Sequence, residues 1–127
     1  MNDADCELLR LAAKAARVSL GFEGDEGNEM PVRHHPKRPN VTTPWNPLDD
    51  DGDALRLAMK LDIELRFHRN AAIPSVTASC KGDEDLPVAR ELWGADKEAA
   101  TRRAIVRTAA EVGRKQEELE DLEDDEE

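Results

Sequence analysis

The sequence predicts an α+β fold, and three observations predict it. Apolar residues recur with the 3.6-residue period of a helix near both ends of the chain, a period of two appears only between Asp62 and Cys80, and proline and glycine punctuate what lies between. The expected chain order is helix, helix, antiparallel β-hairpin and long C-terminal helix, followed by a disordered acidic tail. With 127 residues there is room for one small core. Residues 1–115 therefore read as a single α+β domain and residues 116–127 as the tail.

The first helix is expected from about Asp3 to Leu20, where Leu9, Ala12, Ala13, Ala16 and Leu20 form one stripe flanked by Leu8, Leu11 and Ala15. Asp3, Asp5 and Glu7 complement the positive end of its dipole, and Gly21 is the expected stop. A face so rich in alanine implies close packing against another element. From 22 to 44 the chain reads as a Pro/Gly-rich loop, with room for a short edge strand around Met30 to Arg33. Within it, Arg33-His34-His35-Pro36-Lys37-Arg38 is a basic island that Pro36 and Pro39 keep extended.

Trp45 is an aromatic anchor leading into Asp49, Asp50, Asp51 and Asp53, residue types that cap helices. A second helix of about three turns should begin near Asp50, carrying Ala54, Leu55, Ala58, Met59 and Leu61. Ile63, Leu65 and Phe67 then alternate with charges, and Val76, Ala78 and Cys80 alternate with hydroxyl residues. Asn70 to Pro74 turns the first strand back on the second. Lys81 to Pro87 reads as a polar turn and Leu92-Trp93 as the anchor of a short helical segment. The long helix follows from about Lys97 to beyond Gly113, with Ala100, Ala104, Ile105, Ala109 and Val112 on its apolar face and Arg102, Arg103 and Arg107 opposite. Past Gln116 the glutamates oppose the helix dipole and repel one another, so fraying is expected.

The formal charge is −11, but residues 116–127 hold nine of the 29 acidic residues and no base; the remaining 20 acids and 18 bases leave −2. The strong field thus belongs to one end, which disfavours direct nucleic-acid binding and favours a protein partner with a basic surface. Aromatic content of 3% leaves little surface on which bases could stack. No apolar run is long enough for a membrane span and no leader pattern opens the chain, so the expectation is a cytoplasmic protein. Cys6 and Cys80 read as free thiols in a reducing compartment.

The stretch Trp45-Asn46-Pro47-Leu48-Asp49-Asp50-Asp51-Gly52-Asp53-Ala54-Leu55-Arg56-Leu57-Ala58-Met59-Lys60-Leu61 resembles small proteins of bacteriophages and prophages. So do Ala100-Thr101-Arg102-Arg103-Ala104-Ile105-Val106-Arg107 and the Leu8 to Ala16 helix. More distantly, the layout is similar to the phage ABA-sandwich proteins of the NinX type, in which an N-terminal helix, a small sheet and a C-terminal helix pack in layers. Segment 22–44 departs from that pattern, since family members read there as an aromatic strand hairpin. The resemblance implies a phage origin and a layered arrangement, and it supplies no catalytic residues.

Candidate chemistry is sparse. Setting Gly52 at the glycine of a calcium loop puts Pro47 at the first ligand position and Ala58 where a bidentate glutamate is required, so the aspartates read as helix caps. His34 and His35 are adjacent, point apart in an extended chain, and have no ligand spacing to Cys6 or Cys80. Phosphate loop, nucleophile elbow and triad patterns are missing, and the expectation is a non-enzyme without metal or cofactor. The candidate partner-binding residues are Glu117, Glu118, Glu120, Asp121, Glu123, Asp124 and Asp125 in the tail, and Arg33, Lys37 and Arg38 in the island. Small size, absent chemistry, the phage resemblance and the excess of acid together give an expected role as an inhibitor of a bacterial defence system, of anti-CRISPR or anti-restriction type, acting on a basic effector surface by steric binding or DNA mimicry. A NinX-type accessory factor of recombination or late-phase machinery is the alternative. Oligomeric state is left open.

Overall fold

The computed structural model describes residues 2–26, 29–80 and 89–124. Helix α1 spans Asp3–Ala16, strands β1, β2 and β3 span Leu20–Glu23, Met30–His35 and Arg38–Pro44, and helix α2 spans Asp51–Lys60. Strands β4, β5 and β6 cover Ile63–His68, Ser75–Cys80 and Ala89–Leu92, and helix α3 runs over Lys97–Asp124. The class is α+β as expected, with two three-stranded antiparallel sheets in the orders β1-β2-β3 and β4-β5-β6.

Local chemistry sets the helix ends. The Asn2 side chain accepts from the Asp5 amide at 2.7 Å and opens α1. The helix stops at Arg17, whose φ of 59° is left-handed; the amides of Arg17 and Val18 close on the carbonyls of Lys14 and Ala13. The stop therefore comes before Leu20-Gly21, which instead belong to β1. Gly21 has a different use there: a Cβ on it would lie 2.5 Å from Nε2 of His34, so its bare backbone accommodates that ring. The Asp50 carboxylate accepts from the Asp53 amide at 2.8 Å and starts α2 where the sequence places it.

The three helices enclose the main core. Leu9, Ala12, Ala13 and Ala16 of α1 meet Ala54, Leu57 and Ala58 of α2 and Ile105, Val106 and Ala109 of α3, with Trp45 among them. Helices α1 and α3 run in the same sense, since Asp5 pairs with Arg103, Leu11 lies at Gly113, and Lys14 pairs with Glu120. Small side chains let their backbones approach closely, as the alanine face implies. The other side of α3 covers the second sheet, where Val76 and Ala78 pack on Ala100 and Ala104. Thr108 donates to the Ala78 carbonyl at 2.9 Å inside that layer.

Three parts of the chain differ from the sequence expectation. Residues 22–44, read as a loop, carry most of a β-meander. Its prolines occupy tolerant places: Pro36 in the turn, Pro39 and Pro44 on an edge strand, and Pro31 near the start of its strand. The meander lacks an alternating signal because little of it is covered; in β2 and β3 only Pro31 and Val32 are buried. Leu92, read as helical, ends β6, and Trp93 follows with its amide on the Pro74 carbonyl at 3.0 Å. The acidic tail, read as disordered, is helical through Asp124. The expected polar turn at Lys81 to Pro87 lies outside the described residues.

Candidate functional site

The end of α3 stays helical against its own dipole because α1 supplies cations. Arg10 Nη1 binds Glu117 at 2.5 Å while its Nη2 binds Glu7 at 2.7 Å, and Lys14 Nζ binds Glu120 at 2.8 Å. Hydrogen bonding to Arg10 holds the Glu7 and Glu117 carboxyls below the ordinary value of 4.5, and the two carboxylates, Glu7 first, raise the guanidinium in return. Such exposed pairs contribute little to global stability, so their effect is positional. A carboxyl with a lowered pKa contributes above its ordinary value and loses that contribution as pH falls through its folded value. Acidification below 4.5 should therefore loosen the α3 end from α1. Amide exchange should quicken first around Glu117 to Leu122; uniform protection down to about pH 3 would contradict the linkage.

This division separates the tail residues. Glu117 and Glu120 are engaged by α1, whereas Glu118 and Asp121 stand exposed with no ion pair among the described residues. Glu123 and Asp124 occupy the last described positions of the helix, and Asp125 lies outside the described residues. Between the carboxylates, Leu119 and Leu122 are 61% and 63% exposed. Three residues apart, they share one side of the helix. The result is a helical, uncovered leucine pair bordered by acids.

The three candidate cations of the basic island do not converge. Lys37 lies in the β2–β3 turn and Arg38 opens β3, both exposed, with the Lys37 amide on Nδ1 of His35 at 3.1 Å. Arg33 sits back along β2, where its Nε donates to Thr43 Oγ1 at 3.2 Å, and it lines a cleft of about 330 Å3 with Arg17 and Lys60. Sequence reading missed Arg17 and Lys60; each is a base at a helix C-terminus, a position usually assigned to the dipole alone.

Other chemistry-bearing residues are structural. Arg102 reaches Asp51 at 2.6 Å and the Leu48 carbonyl at 3.0 Å, Arg103 reaches Asp5, and Arg107 reaches Glu91. The α3 arginines that resemble a free basic face in one dimension thus tie down the loop before α2, α1 and β6. Asp53 accepts from the Asn46 amide and from Arg56. Among the described residues no group of three or more His, Cys, Asp or Glu side chains could hold a metal ion, and no helix is long and apolar enough to cross a membrane. A second cleft, about 380 Å3, lies between α2, β4 and α3 and is lined by Leu55, Leu65, Phe67 and Ile105. Lys97 stands over the neighbouring Phe67 and Trp93 rings at 5.0 and 4.3 Å from their centroids. Comparison with protein-family models, curated proteins and solved structures finds no match to this chain.

Proposed function

We propose that this is a non-catalytic phage interaction protein that inhibits a bacterial defence system in the host cytoplasm by binding an effector. The observation that carries the binding role is the Leu119–Leu122 pair, exposed on α3 with Glu118 and Asp121 next to the two leucines in sequence. Leucines supply contact area when desolvated, and an acidic border selects a basic rim on the partner while speeding encounter. The assignment to phage rests on the resemblance of the Trp45 to Leu61 and Ala100 to Arg107 segments, and defence inhibition on that origin together with the small size, the lack of a catalytic pattern and the excess of acid. Protein docking is favoured over duplex mimicry. The free carboxylates Glu118 and Asp121 are spaced by about 4.5 Å along the helix axis, against one duplex charge per about 1.7 Å.

Expression in host strains carrying a CRISPR or restriction system tests the proposal. Phage plating efficiency should recover by orders of magnitude with the wild-type chain, and Leu119→Ser with Asp121→Lys should abolish that recovery without lowering the thermal midpoint. No recovery in any defended strain would remove the inhibitor reading. The accessory-factor alternative draws on the exposed Lys37 and Arg38 at the hairpin tip. Its mark is recovery of recombination proteins from a nuclease-treated lysate, lost in Lys37→Glu and kept in Leu119→Ser.

A further inference from the structure

The cleft holding Arg33 brings together cations from three separate elements. Arg17 comes from the end of α1, Arg33 from β2 and Lys60 from the end of α2, and His34 and His35 also line the cleft. No carboxylate among the described residues lines it, although the chain carries a net charge of −11. Among the described residues Arg17, Arg33 and Lys60 have no ion-pair partner, as is also true of Lys37, Arg38, Arg69, Arg90 and Lys97, but only these three converge on one cleft. We propose that this cleft binds the phosphate group of a small phosphorylated ligand.

Several features prearrange it. Thr43 holds the Arg33 guanidinium through Nε and leaves its terminal nitrogens to a ligand. His35 accepts the Lys37 amide on Nδ1, which places the proton of the neutral ring on Nε2 as a donor. Nδ1–H of His34 donates to the Pro39 carbonyl at 2.8 Å with Nε2 against Gly21, so this ring shapes the wall and offers the anion no donor. The carbonyls of Ala13 and Lys14 at the α1 terminus are already occupied by the capping amides, which lessens their repulsion of an anion. Arg17 is also an arginine in a left-handed conformation where glycine would be easier, so its side chain is kept against a local backbone preference. Val18, Pro36 and Val41 add apolar wall for the body of the ligand.

Size and charge favour a small ligand over a polymer. A cleft of about 330 Å3 is at the lower end of small-molecule sites. Its local positive field is screened over about 8–10 Å at physiological ionic strength. Further phosphates of a polynucleotide would leave that zone and meet the field of an acidic protein.

Helix-terminal cations would also be present if Arg17 and Lys60 served only the dipoles, and the test separates the two roles. Amide spectra of the full chain are recorded during titration with inorganic phosphate, a nucleoside monophosphate and a short single-stranded oligonucleotide, at constant ionic strength. Phosphate and the mononucleotide should give saturable shifts at Arg17 to Ser19, Arg33 to His35, Thr43 and Lys60. Arg17→Gly should weaken both at least about tenfold, the effect of losing a charge-assisted hydrogen bond, while leaving the thermal midpoint unchanged or higher. Lys60→Gln should weaken them similarly, and Lys37→Gln at the hairpin tip should not. Absence of saturation, or affinity indifferent to Arg17 and Lys60, overturns the proposal. Oligonucleotide binding tighter than mononucleotide binding and steeply salt-dependent overturns the small-ligand assignment. None of these outcomes depends on what the α3 end binds.

Discussion

Gly113→Ala should destabilise the protein by about 3 kcal/mol or more, the upper part of the range for overpacking a close-packed interior. An added Cβ would lie 2.0 Å from the Leu11 carbonyl oxygen and 2.8 Å from its carbon, both main-chain atoms that no rotamer change can move. Reaching even 3.0 Å requires α1 and α3 to part by about 1 Å along the seam that contains Leu9, Ala12, Ala13, Val106 and Ala109. A gap of that size forfeits about a quarter to a half of each dispersion contact it opens. The opposing gain, alanine over glycine in a helix interior, is only about 1 kcal/mol. Thermal unfolding followed by circular dichroism should show a midpoint lower by about 10 °C or more, given the few degrees per kcal/mol expected at this size. A higher midpoint would mean that the two backbones are not in contact.

Trp45→Ala should cost about 3 to 5 kcal/mol, as large-to-small changes of buried aromatics do. Trp45 is 5% exposed and stands in the main core with residues from all three helices, while its amide donates to the Pro31 carbonyl at 3.0 Å. It therefore joins the first sheet to the helical core at the point where the chain enters α2. Denaturant unfolding should show the loss in the midpoint. Trp45→Phe, which keeps most of the apolar volume, should recover more than half of it. Equal stability of the alanine variant and wild type would place Trp45 on the surface.

The outcome along the chain follows signal strength. The cap at Asp50, the strands at Ile63 to Phe67 and Val76 to Cys80, and the start of α3 at Lys97 match the sequence reading, because each element covers part of one face; the expected apolar faces are incomplete, since Phe67 of β4 and Leu55 and Met59 of α2 are exposed and Leu57 is buried instead. Strands β1, β2 and β3 bury so little that their residues carry no period, and prolines at permitted edge positions look like loop punctuation. Half of the predicted site followed the same rule. The acidic run at 116–127 is legible as charge, but that Glu117 and Glu120 are engaged while Glu118 and Asp121 are free depends on Arg10 and Lys14, more than a hundred residues away.

By itself the sequence determined the α+β class, α2 with its cap, the hairpin, the long C-terminal helix and the acidic character of its end. These depend on local propensity, capping chemistry and periodic burial, all of which act within a few neighbours. Tertiary structure alone decided that the tail residues through Asp124 are helical, that α1 ends at Arg17, that the α3 arginines are latches, and that Arg17, Arg33 and Lys60 share one cleft. Electrostatic energy depends on distance in space, and those distances are set by the crossing of α1 and α3 at Leu11 and Gly113 and by the return of the chain through Trp45.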